Sequence, residues 1–412
     1  MINTSTIMDK DTEAGKKTIV LAAPIWNKGH YETQMQLFLS ILLPKNCRVI
    51  ALCAEPEKVE KWVEEYMPDF KADLFTARFT LMGLRGRVRL KTGWAWSYIS
   101  ASIDKAASAS GWEIDMVFFN NLDSMIYNTW RGVFFPRKIN YPWAGLYLTP
   151  IFKRQPEGFD YYKKHISLKV FKGIKNCQGI AIYDEGSFNE CQDFFDDRKI
   201  YVLPDVTDET MPSPLPLKFS AVKAKAGDKT IIGLVGLLQK RKGLLNFLRA
   251  AKAMDPEKCF FLLAGYLHWP EYTKHEQMEI KELLEILPET SFHFESGYMD
   301  DPAEVNAWID LCDIVCLCYE KFYYSSGIMT KAAAREKLML VTRGYCMGER
   351  VQRYGLGLTA REGDLEEIIA GLKIMTDNDR RKKMLAQAQF KKFMDFHNYC
   401  KLDEVLSGIL EV

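Results

Sequence analysis

The stretch "DIVCLCYEKFYYSSGIMTKAAAREKLMLVT", residues 313–342, decides the fold. It opens on an apolar run, DIVCLCY, passes through a small-residue turn, continues as an Ala-rich helical pattern and closes on a second apolar run, KLMLVT. Strands covered on both faces read as continuous apolar runs rather than alternating ones. Two such runs joined by a helix spell a βαβ unit, whose strands are parallel. Ser325, Ser326 and Gly327 fall where the helix starts. A hydroxyl there can cap the first N–H groups. Equally, Gly lets a ligand approach the backbone, and a helix start attracts anions. The stretch alone supports both readings.

The same rhythm extends in both directions. Towards the N-terminus of this half, TIIGLVG (230–236), CFFLLAG (259–265) and SFHFES (291–296) read as strands. KGLLNFLRAAKAM (242–254), a charged pattern near 272–287 and PAEVNAWIDLC (302–312) read as helices. Beyond residue 342, GDLEEIIAGLKIM carries Leu365, Ile368, Ile369 and Leu372 in helical phase, and NDRRKKMLAQAQFKKFM follows it. The first half repeats the alternation. Strands are expected at 18–26, 47–55, 114–120, 143–149, 179–184 and 199–205, and helices at 31–44 and from Pro56. Residues 206–229 break the pattern with Pro212, Pro214 and Pro216 and read as a linker. The expected organisation is a polar tail at 1–16, an α/β domain at 17–205, the linker at 206–229, a second α/β domain at 230–385 and a C-terminal helical segment at 386–412 packing back on the first domain. The fold class is α/β, two tandem doubly wound Rossmann-like domains facing across a cleft.

Bulk properties agree. A chain of 412 residues exceeds one ordinary core and suits two domains of roughly 200. A hydrophobic share of 48% with 26% charged residues is that of a globular protein. A net charge of +1 gives no whole-molecule field for nucleic acid. Cys312, Cys316 and Cys318 lie in or beside one apolar run, where thiols act as small hydrophobes, and this points to a reducing, cytoplasmic compartment. The tail at 1–16 has no apolar core, and no run approaches the roughly 20 apolar residues that cross a bilayer.

The second chemical motif is GLVGLLQKRKGLLNF, residues 233–247. A strand, a Gly, the cations Lys240, Arg241 and Lys242, a second Gly and a helix converge donors and positive charge on one point, which suits a diphosphate. A solvated surface loop is the other reading. Neither G-x-G-x-x-G nor a P-loop signature is present. The segment from Arg78 to Ala101 is basic, with Trp94 and Trp96 interleaved. It suits an anionic membrane surface or an ordinary domain helix; single-stranded nucleic acid is disfavoured by the neutral net charge.

Taken together, VGLLQKRKG, the stretch at 313–342 and the paired α/β halves resemble glycosyltransferases of the two-domain GT-B type, in particular the bacterial nucleotide-sugar transferases that build surface polysaccharides and glycolipids. The likeness is clear over 229–373 and is one of fold rhythm over 17–205. It implies a metal-independent transferase that needs no cofactor, takes a nucleotide-diphosphate sugar as donor and passes the sugar to a sugar, lipid-linked or small-molecule acceptor. It places the donor diphosphate at Gly236, Lys240, Arg241, Lys242 and Gly243, with Ser325, Ser326 and Gly327 as the other half. The family's Arg in the first loop is replaced by Leu237. The family's two Glu in the second stretch fall on Tyr323 and Lys331, so both carboxylates are missing; Glu320 lies near but out of register. Lys331 could reach a phosphate or lie on a solvated helix face. Gly297 and Tyr298 match the loop that holds the base, where Tyr298 could stack, or else form a turn before a helix capped by Asp300 or Asp301. In the first domain, Gly29 matches the Gly-rich turn facing the donor, and His30 could contact phosphate or acceptor or nothing. Asn120, Asn121 and Asp123 follow a strand end. Asp123 could deprotonate an acceptor hydroxyl or cap a helix. Because the carboxylates are missing, a non-catalytic nucleotide-sugar-binding or scaffold protein and a sugar-nucleotide epimerase stay open beside the transferase, as does an assembly factor docked on a membrane surface.

Overall fold

The structure is a computed structural model; it describes residues 15–23, 30–79, 95–126, 139–150, 159–299 and 301–412. The chain divides into two compact units. The first holds Met1–Ile182, Ser187–Leu203 and Asp403–Val412; the second holds Tyr183–Gly186 and Pro204–Leu402.

The first unit carries β1 (Lys17–Ala22), β2 (Cys47–Cys53), β3 (Leu74–Arg78), β4 (Met116–Phe119), β5 (Trp143–Tyr147), β6 (Cys177–Ile182) and β7 (Lys199–Val202). They form one parallel sheet in the order β3-β2-β1-β4-β5-β6-β7. β4 and β5 are buried throughout and β1 from Thr18 onward, which is why their sequences are near-continuous apolar runs. One face packs Trp96, Phe119, Trp143 and Phe171 into an aromatic cluster with ring centroids 5.7–6.3 Å apart. The last residues of the chain join this unit, where Lys45 pairs with Asp403 at 2.9 Å.

The second unit carries β8 (Thr230–Val235), β9 (Cys259–Gly265), β10 (Phe292–Ser296), β11 (Ile314–Leu317), β12 (Leu338–Thr342) and β13 (Gly357–Ala360). Their order is β10-β9-β8-β11-β12-β13, again all parallel. Chain progression therefore reverses between β8 and β11. In open α/β sheets the crevice at such a reversal, beyond the carboxyl ends of the strands, is where ligands bind. Cys312, Cys316 and Cys318 are buried in this core, as expected.

Two expectations need correction. Part of the expected linker, Leu217–Ala226, is a helix whose Phe219, Val222 and Ala226 are buried in the second core. Its apolar residues do recur at helical spacing; the flanking prolines hid it. The short strands β3 and β13 gave no apolar run because both are edge strands and half-exposed. Among the described residues, no helix is long and apolar enough to cross a membrane.

Candidate active site

β8 and β11 are neighbours, so the two loops singled out in the sequence leave the sheet side by side. After β8 the chain turns at Gly236 (φ 103°), forms one 3-10 turn over Lys240–Lys242, turns again at Gly243 (φ 72°) and enters the helix Leu244–Ala253. After β11 it runs through Tyr319 and Glu320 to Ser326 and the helix Gly327–Ala334. The loops are locked together. The Glu320 N–H donates to the Arg241 carbonyl at 2.7 Å. A Cβ on Gly243 would lie 2.4 Å from the Cys318 carbonyl oxygen, so only glycine fits that approach and that positive φ.

The three cations of the first loop take different places. Lys240 is exposed and pairs with Glu276 at 2.7 Å. Arg241 lies over the Phe322 ring at 4.7 Å, and its Nε donates to Gln239 at 3.1 Å. Its Nη1 is buried without a partner. Lys242 is 7% exposed, and its ammonium sits 5.4 Å from the Tyr319 ring centroid. It would be 3.1 Å from a Cβ on Gly236, which in turn lies 3.5 Å from Ile328 Cδ1. Among the described residues Lys242 has no carboxylate and no hydrogen-bond acceptor. Burial, and then the charge of Arg241, pushes its ammonium down to about 7.

Beside it, the helix Gly327–Ala334 starts without a cap. Ser326 is the N-cap residue, yet its hydroxyl caps nothing. The Met329 and Thr330 N–H groups bond to the Ser326 carbonyl. Those of Gly327 and Ile328 find no acceptor among the described residues, as the first N–H groups of a helix do when no side chain supplies one. A buried cation without an anion, a glycine turn and an uncapped helix start thus converge, and the arrangement is complementary to a phosphate.

The remaining sequence candidates are placed as follows. Ser325 donates its hydroxyl to Asp205 and accepts from Arg350. Lys331 donates to the Asp208 carbonyl and to Asn306 Oδ1, both at 2.9 Å, so it binds the chain's own segment at 208–210. Glu320 accepts from Asn246 at 3.2 Å, and burial, with Glu362 beside it, pushes its carboxyl up. It shares a pocket of about 420 Å³ with Lys240, Gly243, Asn246, Arg249 and Glu276. Tyr323 is buried, edge-on to Tyr345 at 4.5 Å. Gly297 faces open space and Tyr298 is 56% exposed, while Asp301 caps the helix Pro302–Leu311.

In the first unit, Gly29 and most of the basic segment, 80–94, lie outside the described residues. His30 opens the helix His30–Leu42, and its side chain is likewise outside them. Asn120 is fully buried at the exit of β4, and neither amide atom has a partner among the described residues. Asp123 begins the short helix Asp123–Ile126, but its carboxylate accepts from the Leu148 N–H at 2.8 Å and from the Thr149 hydroxyl. It pins the exit of β5. Burial pushes this carboxyl up to about 6.

Sequence reasoning missed Arg350 and Asp205, which hold the Ser325 hydroxyl, and Glu185, which pairs with Arg350. They are scattered over the chain, and only a buried charge in a helix pattern could have flagged Arg350.

No family model matches this chain, and no curated protein matches it in sequence. Solved structures do match in fold. Sucrose-phosphate synthase from Thermosynechococcus elongatus gives a TM-score of 0.70 at 15% identity over 96% of this chain and 98% of that one. Anabaena HepE, solved in complex with UDP and glucose, gives 0.66 at 14% identity over 96% of this chain and 99% of that one. WaaG, a glycosyltransferase involved in lipopolysaccharide biosynthesis, gives 0.61 at 13% identity over 95% of this chain and 98% of that one. The chain therefore has the GT-B fold, with two Rossmann-like units.

Proposed function

We propose that this protein is a glycosyltransferase that moves a sugar from a nucleotide-diphosphate donor to an acceptor hydroxyl, without a metal or other cofactor. The observation that carries the reading is Lys242, a buried ammonium without an anion, set against Gly236 and the uncapped start of Gly327–Ala334. The acceptor oxygen attacks the anomeric carbon, the bond from that carbon to the diphosphate breaks, and the diphosphate leaves with the electron pair. Lys242 and the Gly327 and Ile328 N–H groups oppose the charge that grows on it, the largest electrostatic demand of the step. Arg241 borders the same loop, and Tyr298 is exposed for stacking on a base. The first unit holds the acceptor, whose hydroxyl proton passes to the oxygen of the departing diphosphate. The ligands named for HepE and the role named for WaaG support a nucleotide-sugar donor and a surface-glycan acceptor, sugar or lipid-linked. The buried thiols of Cys312, Cys316 and Cys318, which form no disulfide, support a cytoplasmic site of action, near the membrane where such acceptors lie.

The test is calorimetry with a panel of nucleoside diphosphates and their sugars, followed by product analysis by mass across acceptors. Binding of one nucleotide series and a mass gain of one sugar on an acceptor is the expected result. Binding without transfer would make the protein a nucleotide-sugar-binding module, and no binding would remove the donor site.

A further inference from the structure

Arg350 lies on the helix Tyr345–Tyr354 and is 1% exposed. A guanidinium this deep is tolerated only with its donors occupied. Its Nε donates to both Glu185 oxygens at 3.1 Å, and its Nη2 to Glu185 at 2.8 Å and to the Tyr183 carbonyl at 2.7 Å. These bonds balance the charge without further help. The remaining Nη1 donates to the Ser325 hydroxyl. Ser325 passes the chain on by donating to Asp205, whose carboxylate is also 3.9 Å from Nη1. The Asp205 N–H is held in turn by His397 Nδ1 at 3.0 Å. The Ser325 hydroxyl has thus spent its one proton on the protein. The next residue, Ser326, supplies the carbonyl on which the helix begins, accepting from Met329 at 2.9 Å and Thr330 at 3.4 Å.

We propose that Arg350 is a positioning residue for the donor site: acting through Ser325, it fixes where the helix Gly327–Ala334 starts and so where its free N–H groups point. Ser325 is a relay in this arrangement rather than a phosphate ligand. The inference rests on the diphosphate reading for its functional meaning, while the mechanical link stands by itself and is tested separately. Without the relay, the helix start keeps its core packing at Met329 but loses the side-chain tether just before it, and its first turn opens more often.

Hydrogen exchange at Met329 and Thr330 reads that opening. Ser325→Ala removes the relay and leaves the Arg350–Glu185 pair in place; Arg350→Lys keeps a charge but loses the fork. Both variants are expected to exchange these two amides about tenfold faster, with the amides of β8 and β12 unchanged. The double variant is expected to exchange no faster than either single one, because both break one chain of bonds. Affinity for UDP, used as the probe, should fall about tenfold in Ser325→Ala. Unchanged exchange at the helix start in both variants overturns the proposal. So does equal acceleration throughout the unit, which would mark a merely structural pair. If the wild type binds no nucleoside diphosphate, the donor reading fails, while the exchange result still decides the positioning role.

Discussion

At the exits of β8 and β11 a buried ammonium, Lys242, is left without an acceptor; at the exits of β4 and β5 the carboxylate of Asp123 holds two donors of its own chain. Both groups stand where open α/β sheets present residues to ligands. In the second unit the protein has left a charge for something else to neutralise. In the first it has used the charge to fasten one strand exit to the next, and the unpartnered group there, Asn120, is neutral. An uncompensated buried charge is far costlier than a buried amide. The contrast teaches that a position at a strand end does not make a site; an unsatisfied group there does.

The most severe way to break this comparison is Lys242→Ala. It should weaken nucleotide-diphosphate binding by about 100-fold, the worth of one or two charge-assisted hydrogen bonds at about 2–3 kcal/mol. Calorimetry measures it. The ligand-free variant should melt close to the wild type, because deleting the uncompensated buried charge offsets the lost packing of the Lys242 stem and its Tyr319 contact. A lower melting temperature with unchanged affinity would show Lys242 to be structural.

Acidity offers the next test. The ligand-free Lys242 ammonium is pushed down to about 7, from 10.5, by burial and by Arg241. A bound diphosphate holds it charged. Below that pH the free protein already carries the proton, and affinity for a nucleotide sugar is flat. Above it, binding takes up a proton and affinity falls by up to about tenfold per pH unit. The ligand-free protein behaves in the opposite sense. Between about 7 and 10.5 the unfolded chain holds the proton and the folded one does not, so stability rises with pH across that window. Both slopes should vanish in Lys242→Ala, and a persisting slope assigns the titration to another group.

The smallest effect is expected at the other strand exit. Thr149→Val removes one of the donors to Asp123 and should cost about 1 kcal/mol, a few degrees in Tm, with nucleotide affinity unchanged. A loss of nucleotide binding there would erase the distinction between the two exits.

Much of this was legible in the chain. Central strands such as β8 and β9 are unbroken apolar runs because helices cover both faces, and their parallel pairing follows from the alternation. The edge strands β3 and β13 escaped because half their surface meets water and their residues are mixed. The loop at 236–243 was readable as a cluster of three cations, but not which of them is left without an anion. Lys240, Arg241 and Lys242 look alike in sequence; they differ in whether Glu276, the Phe322 ring or only the Tyr319 ring waits for them. Lys331 illustrates the same limit, since its partners at Asp208 and Asn306 become neighbours only on folding.

The all-parallel pairing has a kinetic consequence. A hairpin brings consecutive strands together at once, whereas each parallel pair here needs a crossover to form first. β1 waits for β4, and β8 for β11, across most of a half-sheet's length of chain. Those are the pairings that create the switch points. The region that would bind substrate is therefore among the last parts of each sheet to exist during folding, and until it closes β1 and β8, paired on one side with β2 and β9, keep their other edge open.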